Sequence, residues 1–200
     1  MEAHPPGRRE RTKAQNRKVI LDAARRVFAE MGYGAATVRD IIKATPLASG
    51  TFYNYFKSKE EVYQAIRDEV ALAIRPRLRA ARAEATSVET FLSEGFRIFF
   101  AFVAANQADF RHLKPDTMRF RVDTPEVLAG FEELRADVEE AIARGLLPAV
   151  DADYLMAALV GVGFEMSERM LLRDPPDPEA AAAFATALML GGIKALPMAG

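Results

Sequence analysis

Residues 37–63 read TVRDIIKATPLASGTFYNYFKSKEEVY, from Thr37 to Tyr63. The stretch crowds Phe52, Tyr53, Tyr55 and Phe56 around Asn54 and follows them at once with Lys57 and Lys59. Aromatic side chains favour the interior and lysines favour water. A short element that carries both is expected to be anchored in a core while one edge presses on something negatively charged. Thr37 stands where a helix cap is wanted, ahead of the apolar Val38, Ile41 and Ile42. Thr45, Pro46, Leu47 and Ala48 interrupt, because Pro46 cannot sit inside a helix and pushes Thr45 away from helical angles. A second short helix begins at Ala48 or Ser49 and runs through Phe56. Phe52 and Phe56 are four apart and share a face, so both can enter a core with Ile41 and Ile42. Ser49, Gly50, Tyr53 and Asn54 fall on another face.

Two short helices joined by about four residues, with a third helix before them, make a helix-turn-helix. Small and hydrogen-bonding side chains suit a helix that enters a major groove. Gly50 lets a phosphate or base edge come close, and the Tyr53 hydroxyl can donate to a phosphate oxygen. Lys59 lies at the start of the next helix, where free backbone N–H groups and the helix dipole also favour an anion.

Upstream, Ile20, Ala23, Ala24, Val27, Phe28 and Met31 form one helical stripe, stopped by Gly32 and Gly34. Thr12 and Gln15 have the spacing of a capping box and place that helix's start near Thr12. Residues 1–13 hold Pro5, Pro6 and Gly7 with too little apolar surface to fold alone, and read as a disordered basic arm. Downstream, Ser58 and Glu61 form a second box that opens a helix to about Arg75, where Pro76 is expected to end or kink it. The remaining segments read as helices over 88–106, 108–120, 125–147, 151–173 and 178–196. No segment alternates as a strand does, so the chain is expected to be all-α, with domains at 14–60 and 61–200 after the arm.

Charge divides along the same line. Residues 1–82 carry 17 Lys/Arg against 9 Asp/Glu, and residues 83–200 carry 10 against 19. The first part is suited to a polyanion and the second is not. There is no cysteine, which excludes disulfides, thiolate nucleophiles and Cys-ligated zinc and fits a reducing compartment. No apolar segment follows the basic start as in a signal peptide, and no uninterrupted apolar run of roughly 18 residues appears. The expected location is cytoplasmic, without a membrane partner. No phosphate loop, metal-ligand spacing or nucleophile motif is present. Paired carboxylates such as Glu132/Glu133 and Glu139/Glu140 lie on charged faces, so neither catalysis nor a cofactor nor a metal is expected.

TVRDIIKATPLASGTFYNYFKSKEEVY, with the preceding ILDAARRVFAEMGYGAATVRDI, resembles the DNA-binding signature of the TetR family of transcriptional regulators over roughly residues 14–65. The resemblance rests on a Gly-Tyr loop, a Thr-x-x-x-Ile pair and Tyr-x-Tyr-Phe-x-x-Lys-Glu. It implies DNA contacts from Thr37, Ser49, Gly50, Thr51, Tyr53, Asn54 and Lys59. Two positions depart from the family pattern: Pro46 stands where glycine is usual, and Ala48 replaces a common serine, so Ser49 is expected to take over the cap. The resemblance further implies a homodimer on a near-palindromic DNA operator, released by a small-molecule effector.

In the acidic half, Phe91, Phe96, Phe99, Phe100, Phe102 and Phe110 are core or cavity. The resemblance favours a largely apolar effector pocket built from Phe96, Phe100, Val103, His112, Met118, Phe131, Leu134, Phe164 and Met170. Arg97 can pair with an anionic effector or with a nearby carboxylate, and Glu165 is either buried and paired or turned to a partner subunit. Small residues at helical spacing, Ala157, Gly161, Ala181, Ala185 and Gly191, allow helices to approach closely, either within the chain or, as the resemblance implies, at a four-helix dimer interface. The expected function is a ligand-responsive DNA-binding repressor. The alternative, carried by Pro46, is a helical small-molecule binding protein with a vestigial helix-turn-helix.

Overall fold

A computed structural model of the chain describes residues 7–110 and 124–196. Among the described residues every regular element is a helix: α1 (Arg8–Met31), α2 (Val38–Lys43), α3 (Ser49–Tyr53), α4 (Lys59–Glu84), α5 (Val88–Ala105), α6 (Gln107–Phe110), α7 (Pro125–Ala143), α8 (Ala152–Leu171) and α9 (Pro178–Ala195). They fall into two units, and the division lies within α4, between Glu69 and Val70. Of the expected effector residues, His112 and Met118 lie outside the described residues, as does most of the helix expected over 108–120.

The N-terminal unit is a small core closed by α1 to α3 and the first part of α4. Ile20, Leu21, Ala24, Val27 and Phe28 of α1 are buried with Ile41, Phe52, Phe56, Val62 and Ile66. Phe52 and Phe56 therefore anchor the second short helix, as their spacing predicts. Gly32 ends α1 with a φ of 77°, a left-handed conformation that glycine adopts without a Cβ penalty, and its N–H donates to the Phe28 carbonyl.

The start of α1 differs from the sequence reading. The helix begins at Arg8, so residues 8–13 are helical and not a disordered arm. The Glu10 carboxylate accepts from the Gly7 N–H, and Thr12 is an interior residue whose hydroxyl donates to the Arg8 carbonyl instead of capping. Arginine, glutamate and lysine have good helix propensity, so these exposed turns extend a helix already nucleated by its buried half.

Helix α4 also overruns its expected end, continuing through Pro76 to Glu84. A proline removes one N–H bond, here the one to the Leu72 carbonyl. Leu72 is exposed, so that turn faces water. Ile74 just before Pro76 and Arg82 after it are both buried, and their packing outweighs the loss.

In the C-terminal unit α5 is the central element, packed against α8 and α9, while α7 packs on α8. Ser87 caps α5 by a reciprocal exchange with Thr90, and Asp151 and Asp177 cap α8 and α9 by accepting from backbone N–H groups of the first turn. Phe91, Leu92, Phe96, Phe100 and Val103 are buried along α5, and Ala181, Ala182, Ala185, Met189 and Ile193 along α9. No described helix is long and apolar enough to cross a membrane.

Candidate nucleic-acid interface

Thr37 caps α2 by accepting from the Asp40 N–H at 3.3 Å, and Asp40 accepts in return from the Thr37 N–H at 3.1 Å and from its hydroxyl. These hydrogen bonds from Thr37 hold the Asp40 carboxyl below its ordinary pKa. The turn to α3 closes without glycine. Thr45 donates its N–H and its hydroxyl to the Ile42 carbonyl, and its hydroxyl oxygen accepts from the Leu47 N–H. Among the described residues positive φ occurs only at Gly32 and Gly145, so the turn through Pro46 uses ordinary backbone angles and needs neither glycine nor the N–H that proline lacks. A guanidinium N–H of Arg26 donates to the Ala44 carbonyl and finishes α2 from outside.

Helix α3 opens at Ser49 with Ala48 in the cap position and no side chain accepting there. Ser49 is thus the first helical residue and does not take over the cap. The helix is short, and the core beneath Phe52 holds it. Phe52 is 1% exposed and its neighbour Tyr53 is 58% exposed, so the inward and outward faces separate within one peptide unit. The two rings meet edge to face with centroids 5.4 Å apart, which stiffens Tyr53 against its anchor. Ser49, Gly50 and Asn54 are exposed beside Tyr53, and Thr51 is half-buried. A Cβ at Gly50 would meet nothing within 4 Å, so the fold itself does not require glycine there. Arg39 and Lys43 are exposed on α2, and Lys57 is exposed after α3. The sequence reading did not single out Arg39 or Lys43; their spacing of four, opposite Ile41, was the signal for a cationic outer edge.

Lys59 is engaged within the unit. Its ammonium donates to the carbonyls of Tyr33 at 2.9 Å, Ala36 at 3.0 Å and Gly34 at 3.4 Å, and lies 4.7 Å from the centre of the Tyr33 ring. The Tyr33 ring packs at a tilt against Phe28 and Tyr63, and its hydroxyl donates to Glu60. Burial, with Glu60 beside it, raises the Tyr33 phenol to about 12. Further round the unit, Arg17 and Arg25 both donate to Glu69, tying α1 to α4.

The expected effector residues are packed rather than open where they are described. Phe96 and Phe100 stack at 5.9 Å, and Phe99 meets Phe100 and Phe164 edge to face at 5.7 Å. Phe96, Phe100, Val103 and Met170 are buried, and Phe131, Leu134 and Phe164 are half-buried. A recess of about 400 Å³ lies elsewhere, against Arg77, Glu84, Thr90, Glu94 and Arg97, and is lined by none of them. Arg97 is paired with Glu94 on its own helix. Among the described residues no cluster of side chains could hold a metal.

Of the expected interface residues, Ala157, Gly161 and Gly191 are exposed, but Ala181 and Ala185 are buried inside the unit at 7% and 0%. Those two are buried within the unit, on a helix that packs against α5 and α8. Exposed apolar side chains lie elsewhere on these elements: Tyr154 on α8, Leu172 at its C-cap, and Phe184 and Leu188 on α9. Glu165 is exposed on α8.

A buried anchor, an adjacent exposed tyrosine and a cationic edge along α2 define a helix-turn-helix in the N-terminal unit, and the second unit is helical. Residues 20–66 match the model of the bacterial regulatory proteins of the tetR family. The chain is 31% identical to the transcriptional repressor KstR2 of Rhodococcus jostii over 144 residues, covering 68% of this chain and 70% of that one. It is 41% identical over 56 residues to the transcriptional repressor Rv1474c of Mycobacterium tuberculosis, a match that spans 28% of this chain and only 30% of that protein. Its fold is similar to the fatty acid degradation regulator FadR of Bacillus halodurans, with a TM-score of 0.78, 27% identity, and coverage of 96% and 99% of the two chains. The chain belongs to the TetR family of bacterial regulators.

Proposed function

We propose that the protein is a DNA-binding repressor of transcription that acts as a homodimer on a near-palindromic operator and is released by a largely apolar effector. The observation that carries the DNA reading is the Phe52–Tyr53 pair, a core anchor joined directly to an exposed hydrogen-bonding ring on α3. Ser49, Gly50, Thr51, Tyr53 and Asn54 form the edge that meets the groove, and Thr37 brings the α2 N-terminus to a phosphate. The turn through Pro46, closed by Thr45 with ordinary backbone angles, supports a working helix-turn-helix over a vestigial one. Related chains named as repressors support the sign of regulation.

Dimer formation is supported by Tyr154 on α8, Leu172 at its C-cap, and Phe184 and Leu188 on α9, whose exposure would otherwise cost apolar surface in water. The effector reading rests on the likeness to a regulator of fatty acid degradation, and the packed aromatic cluster of Phe96, Phe99, Phe100 and Phe164 is where an apolar ligand would have to open a cavity. A long-chain acyl compound is the class proposed. Such a ligand must bind the DNA-free state better than the bound one, or it shifts nothing.

The test is selection of genomic fragments with the purified protein, followed by titration of the recovered fragment with wild type and Tyr53→Ala. One inverted repeat, bound by wild type and lost in the variant, is the expected result. Binding that is salt-sensitive and blind to sequence would overturn the reading. Adding a long-chain fatty acid or its thioester to the complex tests the effector, and retention of DNA at saturation would reject that class.

A further inference from the structure

We propose that Lys59 is a positioning residue of the DNA-reading unit, a clamp that fixes the loop between α1 and α2, and not a ligand of the DNA backbone. This rests on the reading that α2 and α3 meet DNA. An ammonium group has three N–H donors and no acceptor. In Lys59 all three are directed at carbonyls of one loop, those of Tyr33, Gly34 and Ala36, with the Tyr33 ring covering the cation. The same loop closes on itself through the Ala36 N–H to the Gly32 carbonyl, and it ends at Thr37, the cap of α2. Lys59 is the first residue of α4. One side chain therefore sews the exit of α1, the entry of α2 and the start of α4 together.

Reaching a phosphate would require Lys59 to give up charge-assisted hydrogen bonds already made in a half-buried setting, and these are about twice as strong as neutral ones. Carbonyl oxygens left behind there would lose their partner. Lys57 is exposed two residues earlier, and only its backbone N–H is drawn inward, to Glu61. The backbone charge is neutralised by Lys57, and Lys59 sets where the Thr37 end of α2 stands.

Lys59→Met and Lys57→Met separate the two roles in the full-length protein, at a temperature where circular dichroism shows both fully folded. Amide hydrogen exchange of residues 34–40 is read without DNA, and affinity for the recovered fragment and for a short random duplex is read against salt. Lys59→Met is expected to speed exchange in the loop and to lower specific affinity about tenfold, while random-duplex affinity and the salt slope stay at wild-type values. Lys57→Met is expected to leave exchange alone and to reduce the slope by about 0.9, the value for one released counterion. If Lys59→Met reduces the slope by that amount and leaves loop exchange unchanged, Lys59 is a phosphate ligand and the clamp is wrong. If wild type shows no specific fragment, the DNA reading fails on its own, and unaltered loop exchange in Lys59→Met would still refute the clamp.

Discussion

Arg82 of α4 donates its Nε proton to Asp137 of α7 at 2.6 Å, with the arginine side chain 8% exposed and the aspartate 21% exposed. Seven residues earlier on α4, Arg75 makes the equivalent pair with Glu133. Removing one member of a buried pair strands the other charge, which costs about 3–5 kcal/mol. Asp137→Ala is expected to lower stability by about 3 kcal/mol in urea denaturation. Replacing both partners, Arg82→Met with Asp137→Leu, is expected to recover most of that loss. A single variant within about 0.5 kcal/mol of wild type, the range of ordinary surface changes, would show that the pair is solvated.

Glu133 supplies an acid-side signature. Its hydrogen bond from Arg75 holds the carboxyl below its usual value in the folded state. The unfolded chain therefore binds a proton first as pH falls, and the pair's contribution is full above the ordinary carboxylate range and is lost as pH drops through the folded value. Stability measured from pH 7 down to pH 3 is expected to fall less steeply in Glu133→Gln than in wild type. Identical slopes would mean the pair has no linkage to folding.

Tyr33 supplies the alkaline counterpart. Its folded value of about 12 stands above the unfolded value of 10.0, so the folded state keeps the phenol proton that the unfolded state releases. The contribution is full below pH 10 and is lost as pH rises from 10 to 12. A tyrosinate absorbance titration of wild type minus that of Tyr33→Phe is expected to isolate one ring that ionises near pH 12. A difference curve centred at pH 10 would place Tyr33 in free solvent.

Helix class, both faces of α3 and the anchoring pair Phe52 and Phe56 were legible in the sequence, because each follows from helical spacing and side-chain polarity alone. The Lys59 contacts were not, since nothing local says that carbonyls more than 20 residues upstream will lie against its ammonium. Pro46 was read correctly as the break between α2 and α3, whereas Pro76 does not end α4. A proline reports one missing donor, and whether that matters depends on what the neighbouring turn does, which here was settled by the Thr45 hydroxyl and by the long-range pairing of Arg75 and Arg82. Small-residue spacing in α9 marked close helix approach correctly but could not say whether the approaching helix was α5 of the same chain or a partner's.

Phe52 and Tyr53 separate stability from recognition. Phe52→Ala empties a side chain that is 1% exposed and is expected to cost about 3–5 kcal/mol. Tyr53→Ala removes a ring that is 58% exposed, and its effect on stability is expected to stay within about 1 kcal/mol, the worth of its edge-to-face contact. Its DNA affinity is expected to fall well over tenfold. If Tyr53→Ala unfolds the protein as Phe52→Ala does, the ring is structural and α3 has no separate outward face.

Phe184 and Ala185 make the same separation on α9, and decide the dimer. Phe184 is 63% exposed and Ala185 is fully buried. Arg at position 184 places a charge on the surface proposed to be covered by a second copy, where a desolvated unpaired charge is strongly unfavourable. Phe184→Arg is therefore expected to yield a folded monomer in sedimentation, with operator affinity reduced because each half-site is then bound alone. Ala185→Arg overfills the interior of the unit and is expected to prevent folding outright. A Phe184→Arg protein that sediments as wild type does would move the interface off this face, and a wild type that is monomeric at micromolar concentration would remove the two-fold operator with it.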